Sequence, residues 1–215
     1  MLLMERVADM PVLDKYNRIL DALKTLLEKK ELNSISVSEI AQTAGIAKGS
    51  IYYYFSSKDA IIEALVERSY ASSIDTARHL AKQTDIPSFT RMALIFQTCR
   101  NSSAAFLGQK DVAENVNMQE KAMLHQKYLR YIITELKPVL TEIIQQAIET
   151  GEISFDQPAA LAEIVLLVLT VKLDNTLIPS SQEEIEETIS GLISLLGKAT
   201  KHPEGSLNFL TLPAF

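Results

Sequence analysis

The chain has 215 residues, 47% of them hydrophobic, enough to pack one large domain or a small domain joined to a larger one. It carries 21 basic and 27 acidic residues, a formal charge of −6, which taken alone argues against nucleic acid; the distribution of charge matters more than the sum. Cys99 is the single cysteine, which excludes an intrachain disulfide and a thiolate metal cluster and suits a reducing cytoplasm.

Residues 1–70 hold 9 basic and 10 acidic groups, whereas residues 71–215 hold 12 and 17, so most of the acidic excess lies in the C-terminal part. Between Ile40 and Lys58 there are two lysines and no acid. The longest apolar run, Ile164 to Val171, is far shorter than the roughly 20 residues that span a bilayer. The N-terminus lacks a secretory layout. The expectation is a soluble cytoplasmic protein with no membrane partner.

The first predicted helix covers about 14–30, where Tyr16, Ile19, Leu20, Leu23, Leu26 and Leu27 recur at spacings of three and four. Ser36-Val37-Ser38-Glu39 reads as a capping box that opens a second helix. That helix buries Val37, Ile40, Ala41 and Ala44 and stops at Gly45, a residue able to take the left-handed conformation of a helix end. Two residues later a third short helix begins at Lys48; so tight a join gives a helix-turn-helix. Ser57 is the predicted N-cap of a fourth helix, with Asp59 in its first turn, running to about Lys82. Asp85-Ile86-Pro87 ends it. Further helices are expected with Phe89, Met92, Phe96 and Cys99 on one face, then a polar break at Asn101-Ser102-Ser103 and a short segment to Lys110. A long helix over 116–150 follows, kinked at Pro138. A nearly all-apolar helix spans 157–175, and a last one opens at a second capping box, Ser181-Gln182-Glu183-Glu184. The tail from Lys201 reads as irregular. No strand signal is present, so the predicted fold class is all-α.

The stretch Lys48-Gly49-Ser50-Ile51-Tyr52-Tyr53-Tyr54-Phe55 places four aromatic residues in succession. Successive helical residues point about 100° apart, so four adjacent rings cannot all face one core. With Ile51 inward, Tyr54 and Phe55 share its face. Lys48, Gly49, Ser50, Tyr52 and Tyr53 are left outside: a cation, a small surface, a hydroxyl and two phenols, beside helix-terminal amides. These are the parts needed to position on phosphates and reach base edges in a major groove. Lys58, opening the next helix, is placed to seat another phosphate. The bland alternative is half-buried packing for the tyrosines and ordinary surface for the lysines.

From about Tyr16 to Leu65 the segment resembles the DNA-binding domain of the TetR family of bacterial regulators. The resemblance is carried by Ser36-Val37, Ile40-Ala41, Ala44-Gly45-Ile46, Lys48 to Phe55 and Ser57-Lys58-Asp59. It implies a helix-turn-helix domain over residues 1–60, a connecting helix over 61–82 and a larger helical regulatory and dimerisation domain over 83–215. By the resemblance the DNA-contacting set is Ser36, Lys48, Gly49, Ser50, Tyr52, Tyr53 and Lys58, with the two lysines on phosphates. Ala47 departs from the pattern, since a polar residue often opens the recognition helix, and forfeits about 1 kcal/mol of capping.

The family further implies a transcriptional regulator, most often a repressor, that acts as a homodimer on a palindromic operator in double-stranded DNA and is released by a small-molecule effector. The apolar helix at 157–175 beside the last stripe independently suits a four-helix dimer interface, assigned to Leu161, Ile164, Val165, Val168, Ile189, Leu192 and Leu196; the alternative is that both helices are monomer core. The effector wall is assigned to Met92, Phe96, Phe106, Met118 and Met123, with Gln97, Arg100, His125 and Tyr128 as polar handles, against ordinary core packing. No cofactor or metal is expected. The three histidines, His79, His125 and His202, are scattered, and no catalytic motif occurs, so an enzyme is not expected. A helical adaptor using the helix-turn-helix to bind protein is the other reading.

Overall fold

A reciprocal pair of hydrogen bonds starts the second helix and a left-handed glycine ends it. In the computed structural model the Glu39 amide donates to Ser36 Oγ at 3.2 Å and the Ser36 amide donates to Glu39 Oε2 at 2.8 Å. Gly45 sits at φ 64°, ψ 39°, and the Ile46 amide donates back to the Ala41 carbonyl at 3.0 Å while Gly45 donates to Gln42 at 3.1 Å. That is a Schellman motif, closed where a residue with a Cβ would be strained. The structure describes the backbone over 2–107, 118–174 and 178–211; side chains are described over 13–102, 123–124, 126–173 and 178–211.

The described helices are α1 (Leu2–Leu27), α2 (Val37–Ala44), α3 (Lys48–Tyr54), α4 (Lys58–Ala81), α5 (Ser88–Leu107), α6 (Met118–Glu149), α7 (Pro158–Asp174) and α8 (Gln182–Thr200). Short 3-10 turns lie at Leu32–Ser34 and Asn208–Thr211, and no strand occurs among the described residues. The fold is all-α. Among the described residues no helix is long and apolar enough to cross a membrane.

Contacts divide the chain into two compact units, Met1–Ser69 with Phe106–Leu124, and Tyr70–Ala105 with His125–Phe215. The first is organised around Ile19, Leu20 and Leu23 of α1, Ile40, Ala41 and Ala44 of α2, Ile51 and Phe55 around α3, and Ile61, Ile62 and Leu65 of α4. Burying side chains of this kind contributes about 1.5–3 kcal/mol each, which is what holds helices as short as α2 and α3 in place. In the second unit the buried faces of α7 (Leu161, Ala162, Leu169) and α8 (Ile185, Ile189, Leu192, Leu196) pack with Ile144 of α6 and with Leu207 and Leu210 of the tail.

Three sequence expectations change here. α1 begins twelve residues earlier than its apolar stripe suggested. Asn101-Ser102-Ser103 does not break α5, which runs unbroken to Leu107, and the Ser102 hydroxyl pairs with that of Ser73 at 2.6 Å. The hydroxyl has a partner inside the fold, so it does not compete for the helix backbone. Pro138 falls inside α6, where it was expected. The described part of the tail carries a 3-10 turn at Asn208–Thr211, with Leu207 and Leu210 buried and Phe209 meeting Phe96 edge-on, ring centroids 6.0 Å apart. The segment before Met118, where the long helix was expected to begin, lies outside the described residues.

Glu39 does more than cap. Its Oε1 also accepts from Lys30 Nζ at 2.6 Å, and that bond, then those from Ser36, hold its carboxyl at about 2, below its ordinary 4.5. A carboxyl whose folded pKa is depressed stabilises the fold above its unfolded value and loses that contribution as pH falls toward the folded one. Glu39→Gln is therefore expected to melt below the wild type at pH 6, and the gap in Tm should close as pH falls from about 4.5 to about 2.

Candidate nucleic-acid interface

The register of α3 decides what the short helix shows. Ile51 is 1% exposed and Phe55, which closes α3, is also buried. Phe55 stacks obliquely on Tyr16 of α1 with centroids 4.9 Å apart, and Tyr54 is half-buried against the same core. Tyr52 and Tyr53 point away, 54% and 79% exposed. Lys48 and Gly49 are exposed and Ser50 is half-exposed, so these five residues form one outward surface on α3.

Details of this surface follow from the chain around it. Ala47 occupies the N-cap without a side-chain hydrogen bond, as its methyl dictates. Tyr53 meets Tyr54 edge-to-face at 5.1 Å and 79°, so a ring anchored in the core helps orient one in solvent. A Cβ built on Gly49 would meet nothing of this chain within 4 Å. A helical glycine costs about 0.5–1 kcal/mol relative to alanine, and here nothing inside the subunit requires it.

Two cations in this region are engaged by the scaffold. Arg18 of α1 donates to the carbonyls of Ala44 (2.5 Å) and Gly45 (3.3 Å), the C-terminal end of α2 where a positive charge is favoured. Sequence reasoning missed this role; the signal was a lone arginine on the polar flank of the first apolar stripe. Lys58, expected to seat a phosphate, is engaged by the scaffold in this structure. Its ammonium donates to the carbonyls of Leu32 (2.5 Å) and Ile35 (2.8 Å), tying the start of α4 to the chain that leads into α2. The two ends meet only in the fold, 23 to 26 residues apart in sequence: the ammonium satisfies the Ile35 carbonyl and adds a second donor to that of Leu32, which also accepts from the Ile35 amide at 3.2 Å. Ser36 is exposed, with its hydroxyl accepting from Glu39.

Of the residues assigned to an effector wall, those described are placed as follows. Met92 and Phe96 are half-buried against the core of the second unit, where the Arg100 guanidinium lies 5.6 Å from the Phe96 ring centre and Gln97 is exposed. Burial lowers the Arg100 pKa from its ordinary value. Tyr128 is buried and stacks on Tyr70 at 4.7 Å. Met123 instead packs against the core of the first unit. The side chains of Phe106, Met118 and His125 lie outside the described residues. Cys99 is buried, and burial pushes its thiol up to about 12.

The residues assigned to a dimer interface divide by burial. Leu161, Ile189, Leu192 and Leu196 are buried within the protomer, and Val165 and Val168 are half-buried against them. The seam they form joins α7 to α8 inside one subunit. Of the assigned set only Ile164 is exposed, at 52%, and it is accompanied by Leu167 (46%) on α7 and Leu195 (67%) on α8. α7, apolar nearly all round, thus leaves Ile164 and Leu167 uncovered within the protomer.

Comparison with known proteins completes the description. Residues 19–65 match the family model of bacterial regulatory proteins of the tetR family, and residues 106–193 match a tetracyclin repressor-like C-terminal domain. The chain is 41% identical over 61 residues to the transcriptional regulator YvdT of Bacillus subtilis (strain 168), a match spanning 28% of this chain and 31% of YvdT. It is 27% identical over 154 residues to UidR of Escherichia coli (strain K12), 71% of this chain and 76% of that one. The structure of SmeT, the repressor of the Stenotrophomonas maltophilia efflux pump SmeDEF, superposes with a TM-score of 0.61 at 14% identity, covering 90% of this chain and 94% of SmeT.

The different duties of the two lysines can be separated by stability. Lys58→Met is expected to lower unfolding free energy by about 1–3 kcal/mol, because it removes two charge-assisted hydrogen bonds to the carbonyls of Leu32 and Ile35. Lys48→Met should change it by less than about 0.5 kcal/mol. Urea titrations of both variants measure the difference.

Proposed function

Because the chain belongs to the TetR family of bacterial regulatory proteins, and so is a DNA-binding transcriptional regulator, we propose that its duplex-contacting surface is the outward side of α3. Two copies act together on a palindromic operator, and a small molecule releases them. The observation that carries this reading is the α3 register: Ile51 and Phe55 seat the helix while Lys48, Gly49, Ser50, Tyr52 and Tyr53 face solvent together. A seated helix with an amine, a hydroxyl and two phenols outward can position on phosphates and reach base edges in a major groove. Lys48 supplies the phosphate charge on this surface and Ser36, at the start of α2, is exposed for a second backbone contact. Lys58 is left out of the contact set and serves the scaffold.

A two-fold dimer presents two such helices, and a B-DNA site read from one side needs them about 34–36 Å apart. Support for a second copy comes from Ile164, Leu167 and Leu195, large apolar side chains left exposed on α7 and α8. Exposed groups of this size on neighbouring elements mark an interface more often than they mark free surface. Repression is the sign of regulation that the family resemblance implies, and SmeT is itself a repressor. Release requires that the effector favour the conformation that does not bind DNA. An apolar effector suits Met92 and Phe96, with Arg100 as a polar handle.

Tyr52→Ala combined with Tyr53→Ala is expected to leave the Tm unchanged while weakening operator binding at least about tenfold in a titration at fixed salt, the loss of one or two specific contacts. Unchanged affinity would remove α3 from the interface. Leu167→Arg is expected to yield monomers by light scattering, because it places a charge in the paired face; a stable dimer would move the interface elsewhere.

A further inference from the structure

The chemistry of α3 says which feature of a base pair it is fitted to read. Each base edge in the major groove has preferred side-chain partners: arginine or lysine takes guanine, asparagine or glutamine takes adenine, a carboxylate takes cytosine, and a serine or threonine hydroxyl reaches either kind of edge. The sequence Lys48-Gly49-Ser50-Ile51-Tyr52-Tyr53-Tyr54 offers only Lys48 and Ser50 from those sets, with no arginine, amide or carboxylate. Hydrogen bonding from its outward side is limited to one ammonium, one hydroxyl and two phenol tips.

Exposed aromatic surface, by contrast, is abundant. The Tyr52 and Tyr53 rings leave more than half their area in water. The apolar feature that the major groove offers such a surface is the thymine C5-methyl. Tyr53 is also held: its edge-to-face contact with Tyr54, which is packed against the core, restrains the ring before any duplex arrives and reduces the entropy lost on binding. Gly49 adds room. The space a Cβ would fill is open, so the backbone one turn before the rings is bare and close approach to the groove floor is unobstructed.

We infer that α3 reads its operator through thymine methyl groups, with the rings of Tyr52 and Tyr53 as the specificity-determining elements and their hydroxyls secondary. The inference rests on the proposal that α3 is the DNA-contacting helix. It places thymines at the central α3-facing positions of each half-site, and it makes the ring rather than the phenol oxygen the sensor.

The test begins with duplexes selected by the full-length chain from a random pool. Each thymine of the selected half-site is then replaced in turn by deoxyuridine, which removes the methyl and leaves every hydrogen-bonding group in place. Affinity is expected to fall about 3–5-fold at one or two positions per half-site, the loss expected for burying one methyl fewer. At those positions Tyr52→Ala or Tyr53→Ala should shrink the deoxyuridine effect toward none, whereas Tyr52→Phe and Tyr53→Phe should keep it. Selected duplexes that bind equally well with deoxyuridine throughout would overturn the inference and leave the regulator reading standing, as would a deoxyuridine effect that survives both alanine variants. Failure to select any duplex at low salt would overturn the regulator reading itself, and the inference with it.

Discussion

Seating α3 by two side chains constrains everything this surface does. Seven residues make too short a helix to be stable alone, so α3 exists because Ile51 and Phe55 fill the core built by α1, α2 and α4. Once those two are inward, the helical angle leaves no freedom to the intervening residues: Tyr52 and Tyr53 must be outside. The same contacts that fold the segment therefore aim its chemistry. A one-residue shift in register would put Tyr52 and Ser56, or Ser50 and Tyr54, where Ile51 and Phe55 belong, disrupting core and surface together.

The basic residues near α3 show how little of a local charge count is available for binding. Arg18 and Lys58 satisfy backbone carbonyls and Lys30 holds the capping carboxylate of Glu39. These bonds fix the ends of α2 and the start of α4, which in turn fix the turn on which α3 is mounted. What remains outward is aromatic more than cationic. On the proposed reading, such a surface makes few phosphate contacts, and a shallow salt dependence of operator binding follows.

The helix-turn-helix was legible in the sequence because its determinants are local: the Ser36–Glu39 box, Gly45 and the alternation around Ile51 each act within a few residues. The second capping box, at Ser181, and the span of α7 were legible for the same reason. What could not be read were partnerships across long separations. Nothing near Lys58 in sequence points to the carbonyls of Leu32 and Ile35, and nothing near Arg91 announces that it would be fully buried, donating to the Ala81 carbonyl at 2.9 Å and Gln146 Oε1 at 2.6 Å. Apolar pattern likewise cannot say which face of an all-apolar helix meets its own subunit. Leu161 and Leu196 turned inward, while Ile164, Leu167 and Leu195 did not.

Photocrosslinking probes the α3 surface most directly. A duplex selected by the chain, with 5-bromodeoxyuridine in place of thymine, is irradiated in complex with the full-length protein and the adducts are located by tryptic mass spectrometry. Cleavage after Lys48 and Lys58 isolates the peptide Gly49–Lys58. The account predicts adducts on Tyr52 or Tyr53 within that peptide. Adducts confined to peptides from α4 to α8, with Gly49–Lys58 unmodified, would contradict it.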